Sequence, residues 1–509
     1  MTKHYDVVVV GAGVSALAAA ALLARRSWRV LVVGHGTMPS AYAFEGLPLA
    51  RRTFTFLAAA SPAWGRIVVE LAQSQTFRRR LGSLDPMFQI LMPGRRLELP
   101  PEASLFEREL EREMPDVRRV IDEFYAELAR TNASADAAFE QDVTWPPGGF
   151  WERRETHRVL GTLPHVREGA LRDLLAELPR EHLYRAVVEA SAGFASDLAD
   201  PPPPFAVARL HGAWTRGVSA LARGEDELTE FLVERIRAHG GEVRLGDRVE
   251  GLTARSGRVN AVRIDGDAEP SGVNFVVGEM TVRALLALAD GFEPSARALG
   301  DLPEIEAARY RYVLSLLVRD EGLPAPLSEE SFIIPSPPSA LGAVHLQRRR
   351  PPGAPEGTSL LVAETLLESD AVPRGMRGRV LELLAQYLPF FEKHIVVADS
   401  PHDGEPVWDY RSGRVVAVDR ARLRAGGGSL EAEAMVAQYS IPSPTLSGLG
   451  GEPSRTPLDR AFVLGRSVLP ALGQEGELLA AWGVARVITK TDRRKNKMHR
   501  EMWSKMEIG

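Results

Sequence analysis

Apolar runs of two lengths alternate with polar stretches along this chain. An uninterrupted apolar run, Val7–Val10, predicts a strand buried on both faces. It enters Gly11-Ala12-Gly13-Val14-Ser15-Ala16, after which the Ala/Leu-rich stretch Ala16–Ala24 predicts a helix and Arg29–Val33 a second strand. Charged and apolar positions mix at helical spacing over residues 104–131 and 170–196, and Pro201–Pro204 then form a rigid break. Leu228–His239 predicts an amphipathic helix stopped by Gly240-Gly241. Short strand patterns follow at Glu242–Leu245, Val249–Thr253, Val259–Ile264 and Phe275–Val277, separated by Gly246-Asp247, Ser256-Gly257 and Asp265-Gly266. Further strands are predicted over 308–318 and 342–348, divided by the proline-rich 335–338, with Arg349–Gly357 a loop. Strand Leu360–Ala363, helix 376–388 and strand His394–Ala398 come next. The last block returns to the opening style, with strand Ala461–Leu464, a glycine-rich turn and helix Glu477–Ile488. No repeat of fixed period is present.

The first turn carries the G-x-G-x-x-G/A fingerprint of a dinucleotide-binding βαβ unit. Gly11 permits the tight turn, Gly13 lets backbone approach a pyrophosphate, and Ala16 lets helix and strand pack closely. The N–H groups of Val14, Ser15 and Ala16 open the helix, whose positive end favours phosphate. The acid expected to end the second strand and hold ribose hydroxyls is missing, because Gly34, His35 and Gly36 stand there. At the other end of the chain, Gly465, Arg466, Gly473 and Gly476 punctuate a second strand–loop–helix unit, another anion or polar-edge site. Two such sites suggest one extended ligand lying between them, and a flavin dinucleotide has that shape.

At 509 residues, 45% hydrophobic and 25% charged, the chain is globular and long enough for roughly two to three domains. A net charge of −5 gives no reason to expect nucleic acid. The absence of cysteine excludes disulfides, thiolate catalysis and Cys-ligated metals. No signal-peptide pattern opens the chain, and no run reaches the ~18 apolar residues that span a bilayer, so a cytoplasmic protein is expected. His4, His165, His211 and His394 stand singly, no metal site is expected, and no G-x-S-x-G elbow is present. Glu475 and Glu477 are expected to complement the helix dipole. Trp145, Phe150 and Trp151 fit core packing, a loop anchor or the lining of an apolar tunnel.

The two glycine-rich blocks, FVLGRSVLPALGQEGELLAA included, resemble those of FAD-dependent phytoene desaturases and carotenoid isomerases, a branch of the amine-oxidase-like flavoproteins. The segment Gly217–Leu252, ending AHGGEVRLGDRVEGL, is similar to their stretch leading to the strand whose backbone, at Val249, meets adenine. The resemblance covers about two thirds of the chain and fades over 40–200 and 290–400, where that family builds its substrate cavity. It implies an α/β, Rossmann-like FAD-binding domain with an inserted mixed α+β substrate domain. The nucleotide-binding part would take 1–60, 216–290 and 401–488. A mainly helical cap would take 61–215 and substrate-domain strands and helix 291–400, with a basic tail at 489–509.

It also implies FAD held by Gly11, Gly13, Val14, Ser15, Ala16, Gly34, His35, Val249, Gly465, Arg466, Gly473 and Gly476, with departures that put that affinity in doubt. The family has acids where Gly34 and Arg466 stand, a glycine pair at Gly224-Glu225, and a Gly-Gly-rich loop in place of Pro39–Leu47. One lost charged hydrogen bond costs ~1.5–3 kcal/mol and two cost ~3–6 kcal/mol, enough to turn tight binding weak. Arg466 pairing with the pyrophosphate and His35 reaching a ribose hydroxyl are compensations; a solvated Arg and a turn His are the plain alternatives. Two functions follow. One is an FAD-dependent oxidoreductase of phytoene desaturase type acting on a hydrophobic isoprenoid-like substrate, with no catalytic side chain assigned. The other is a catalytically silent relative with weak or no FAD, serving as a binding or assembly subunit.

The tail Lys490–Gly509 holds seven basic and three acidic residues, with Met498, Met502, Trp503 and Met506 at helical spacing. That pattern suits a helix lying on an anionic membrane, a helix docking in a partner groove, or a helix packed on its own domain.

Overall fold

The computed structural model describes residues 3–166, 173–336, 339 and 341–507. Two sheets organise the chain. Five parallel strands form the heart of the first: β1 (His4–Val10), β2 (Val30–Val33), β3 (Glu242–Arg244), β6 (Ser271–Glu279) and β12 (Ala461–Leu464), in the order β3-β2-β1-β6-β12. The antiparallel pair β4 (Val249–Arg255) and β5 (Arg258–Ile264) extends this sheet beside β6. Val7–Val10 and Val30–Val33 are at most 1% exposed, as unbroken apolar strands of a parallel sheet must be. Helix α1 (Val14–Arg25) leaves the fingerprint turn and packs against α7 (Glu225–Ala238) and α8 (Gly473–Lys490), so start, middle and end of the chain meet in one layer.

Among the described residues the second sheet has ten strands. Its centre is the long antiparallel pair β7 (Glu306–Arg319) and β10 (Thr358–Glu368), in register from Arg309↔Glu368 to Arg319↔Thr358. Strand β11 (Ile395–Asp399) flanks β7 on one side; β9 (Val344–Arg349) and β8 (Glu330–Ile333) continue beyond β10. Strands Phe88–Met92 and Arg95–Leu99 complete that edge and tie the region 61–215, whose other elements are mostly helices, to the second sheet. Its helices include α2 (Pro62–Glu70), α3 (Arg118–Phe139), α4 (Phe150–Leu160), α5 (Leu183–Ala195) and α6 (Pro204–Thr215). The fold is mixed α/β, with a Rossmann-like domain and a second, sheet-rich domain.

The helical pattern over 104–131 divides into Ala103–Glu113 and α3, because Pro115 cannot continue a helix. Of the pattern over 170–196, part falls on 167–172, outside the described residues. The helix itself starts at Leu183, where the His182 ring accepts the Tyr184 N–H. Strand β6 runs longer at both ends than Phe275–Val277 and closes on an acid, Glu279.

The tail forms helix α9 (Arg493–Glu507) and lies against its own domain. His499 is buried with Nε2 3.2 Å from Glu70 Oε2, and the Trp503 ring sits 5.3 Å from that of Trp482. Lys495 lies 3.8 Å above the Trp28 ring and 3.7 Å from Asp6. The aromatic stripe thus turns inward, whereas Met498 and five basic residues (Arg493, Arg494, Lys497, Arg500 and Lys505) face solvent. The Met506 side chain lies outside the described residues. Trp145 is core, but Phe150 and Trp151 are exposed, so none of the three lines a tunnel. Among the described residues, no helix is long and apolar enough to cross a membrane.

Candidate functional site

The fingerprint turn folds as its sequence requires. Gly11 takes φ +113° and donates its N–H to the Val33 carbonyl at 2.9 Å, which fixes the turn against β2. The Ala12 N–H donates to Thr37 Oγ1 at 3.1 Å. The next donors point to where a pyrophosphate would lie, and a carboxylate is there. Glu279, the last residue of β6, accepts the Gly13 N–H at 2.5 Å, the Ser15 hydroxyl at 2.6 Å and the Ala16 N–H at 3.3 Å. A Cβ added at Gly13 would lie 2.6 Å from Glu279 Oε2, so this glycine gives close approach to the protein's own acid. Burial pushes the Glu279 carboxyl up, while the Ser15, Gly13 and Ala16 hydrogen bonds and nearby Arg466 pull it down. The net direction is upward.

The adenosine end is closed in the same manner. The turn between β3 and β4 crosses Gly34, where any Cβ would run into the Leu245 carbonyl oxygen. His35 donates its backbone N–H to Asp247 O at 2.8 Å, and its ring Nδ1 accepts the Val249 N–H at 3.1 Å. Burial, aided by Arg248, lowers the His35 pKa and keeps the ring neutral, as an accepting Nδ1 requires. The backbone donor expected to meet adenine is therefore held by an imidazole from the same chain. Here His35 is no idle turn residue: its ring plugs the Val249 backbone donor.

At the C-terminal block, Gly465 turns the chain at φ +101° and Arg466 projects into the cleft between the domains. Arg466 pairs with Asp197 at 3.2 Å, its side chain staying partly exposed to the cleft. Gly473 and Gly476 do not line the cleft. A Cβ at Gly473 would strike the Ala195 carbonyl and one at Gly476 the Leu469 carbonyl, so both are close-packing positions. Glu475 does not simply serve the helix dipole. It forms a buried pair with Arg209 at 2.5 Å and also accepts from Ser61.

A cavity of about 400 Å³ opens between the fingerprint turn, the C-terminal turn and the second sheet. Its walls mix apolar side chains such as Phe54, Phe194 and Trp214 with four arginines and five acids. The charges are largely matched: Arg52 with Glu225, Arg466 with Asp197, Arg311 with Glu364 at 2.6 Å, and Arg51 with Glu433 at 2.8 Å. Burial pushes Glu364 up, but Arg311, His345 and the Thr53 hydroxyl outweigh it and hold it below the usual carboxylate range. Burial also raises Asp197, against the pull of Arg466 and Arg311. Glu477 has no hydrogen bond or ion pair among the described residues. Burial pushes its carboxyl up to about 8, opposed by Arg466 and reinforced by Asp197 and Glu279.

Glu279, Asp197 and the arginines from β7 and residues 51–52 escaped the sequence reading. Glu279 had a signal: an apolar run ending in an acid beside the fingerprint strand, at the carboxyl edge where open α/β sheets place ligands. The single histidines are accounted for. His165 meets Glu127 at 2.6 Å, and His211, buried against Ser191 and Tyr125, has its pKa lowered by burial to about 3. His394 lies 3.3 Å from Glu321, and His4 is exposed. Among the described residues, no group of three His, Cys, Asp or Glu could hold a metal.

Residues 9–71 match the family of NAD(P)-binding Rossmann-like domains. No curated protein matches the sequence. Solved structures align over nearly the whole chain. An oxidoreductase from Methanosarcina mazei is 16% identical, covering 94% of this chain and 99% of its own, at a TM-score of 0.59. A putrescine oxidase redesigned in its cofactor binding is 15% identical, covering 97% and 100%, at 0.57. Rab GDI from Plasmodium falciparum is 9% identical, covering 95% and 98%, at 0.52. At these identities the likeness is one of fold. The chain has a Rossmann-like dinucleotide-binding domain joined to a sheet-rich second domain, in the architecture of the flavin amine oxidases.

Proposed function

We propose that this protein is a flavoprotein-fold binding protein that works without a tightly held dinucleotide, its central cleft receiving a small polar ligand. The observation that carries this reading is the Glu279 carboxylate on Gly13, Ser15 and Ala16, where a pyrophosphate would sit. An anion cannot share those donors with a second anion without strong repulsion. The closed turn over Gly34 and the His35 plug on Val249 support the same reading at the adenosine end. The groups present therefore do not fit FAD. The mixed, charge-matched cavity suits a compact polar molecule better than a polyene.

A second reading, an FAD-dependent oxidoreductase of phytoene desaturase type on an isoprenoid-like substrate, is favoured by one observation: the Gly11 and Gly465 turns keep the conformations a cofactor cleft needs. It requires the Glu279 side chain to leave the cradle. The visible absorbance of the purified protein, followed by FAD titration, separates the two. A colourless protein that takes up no FAD at micromolar concentration fits the first reading. Stoichiometric flavin bands, surviving gel filtration, would overturn it.

A further inference from the structure

We propose that helix α4 is a membrane-docking edge, an aromatic and arginine surface that seats on an anionic lipid bilayer. Phe150 and Trp151 are 73% and 67% exposed and lie edge to face, their ring centroids 5.4 Å apart. Single exposed apolar residues are ordinary, but two large adjacent aromatics left in water are a liability unless something covers them. Tryptophan and phenylalanine at the start of a helix, with polar atoms beside them, suit the headgroup level of a bilayer.

The charges on α4 choose the occupant. The helix carries two acids, and both are used by the protein itself. Glu152 turns back to accept the Gly148 and Gly149 N–H groups at 2.8 and 3.0 Å and pairs with Arg455 at 2.9 Å. Glu155 lies 3.6 Å from Arg486 of α8. Arg153, Arg154 and Arg158 are exposed and have no carboxylate partner among the described residues. Arg154 stands 5.9 Å from the Trp151 ring. The outward face therefore reads as aromatics followed by three arginines against one half-exposed acid, Glu155, a net positive charge over the next two turns. That pattern complements an acidic lipid surface and repels a second copy of itself.

The knob is also held firmly. Thr156 donates to the Thr144 carbonyl at 3.0 Å, and Val159 and Leu160 are buried beneath the helix. Little ordering is then needed on docking, so the aromatic area can serve binding directly.

Co-sedimentation of the full chain with phosphatidylserine/phosphatidylcholine vesicles at low salt tests this. Wild type is expected to bind these vesicles, to release as salt is raised, and to ignore pure phosphatidylcholine. Replacing Arg153, Arg154 and Arg158 together by Gln should weaken binding about 100-fold, roughly fivefold for each charge. Phe150→Ser with Trp151→Ser should weaken it at least ~10-fold while the melting temperature holds, since neither ring is buried. Absence of vesicle binding overturns the proposal. So does binding unmoved by both α4 variants, or lost only on removal of 493–507, which would assign the surface to the tail. A concentration-dependent dimer in light scattering, dissolved by the aromatic variant, also overturns it by showing that a second copy covers the face.

Discussion

Glu279→Ala should convert the closed cradle into one that accepts a phosphate. The substitution removes the acceptor of two backbone N–H groups and one hydroxyl. Each charged hydrogen bond is worth ~1.5–3 kcal/mol, but the variant also relieves the burial of a carboxylate whose pKa is already pushed up. A net loss of ~1–3 kcal/mol in stability follows, read as a modest fall in melting temperature. The gain in binding comes from repulsion no longer felt. A carboxylate about 4 Å from a phosphate opposes it by ~4 kcal/mol at the effective dielectric of a partly buried site, a factor approaching ~10³ in affinity. Calorimetric titration with two ligands that lack adenosine, inorganic phosphate and pyrophosphate, should find no binding by wild type and binding at least ~10-fold above the detection limit by the variant. Glu279→Gln keeps the bulk and removes the charge, so it should fall between them. The reasoning is refuted if wild type binds either ligand as tightly as the alanine variant does, or if the folded variant binds neither.

Three further outcomes are expected. Gly34→Glu, which restores the acid of the fingerprint, should cost ~1–3 kcal/mol and gain no dinucleotide, because its Cβ meets the Leu245 carbonyl; a stable variant with improved FAD uptake would show that this turn opens readily. Glu477, with its pKa raised to about 8, contributes stability that is complete below the ordinary glutamate pKa and lost as pH rises through 8; Glu477→Gln should therefore gain on wild type in melting temperature between pH 5 and pH 9, and parallel pH profiles would contradict the assignment. Trp503→Ala should lower the urea midpoint by the equivalent of ~1–3 kcal/mol, since it removes the contact with Trp482; an unchanged midpoint would mean the tail helix is not docked.

The parallel strands were legible because residues such as Val7–Val10 are buried on both faces and leave no polar position to confuse the pattern. The fingerprint was legible because glycine is required at Gly11 by a positive φ. The strand pair Phe88–Met92 and Arg95–Leu99 inside the mostly helical cap was not, because it takes its place from pairing with β8, a partner more than 200 residues away. The same limit applies to the site. Gly34 showed that an acid was missing, but nothing local showed that Glu279, Asp197 and Arg466 would converge from three distant segments. Gly473 and Gly476 misled for a related reason. A glycine that lets a helix touch a neighbouring carbonyl looks, in sequence, like one that lets backbone touch a phosphate.

The order β3-β2-β1-β6-β12 has a consequence for biosynthesis. The ribosome releases β1 roughly 260 residues before its neighbour β6 and roughly 450 before β12, which closes that side. At ~5–20 residues per second, the valine-rich opening strands wait tens of seconds for the partners that cover them. During that interval Val7–Val10 and Val30–Val33 form a short, uncharged, strand-prone ribbon of the kind that pairs with other nascent chains. Efficient production should therefore depend on a holding chaperone early in translation. It should be more sensitive to elongation rate than the stability of the finished protein would suggest.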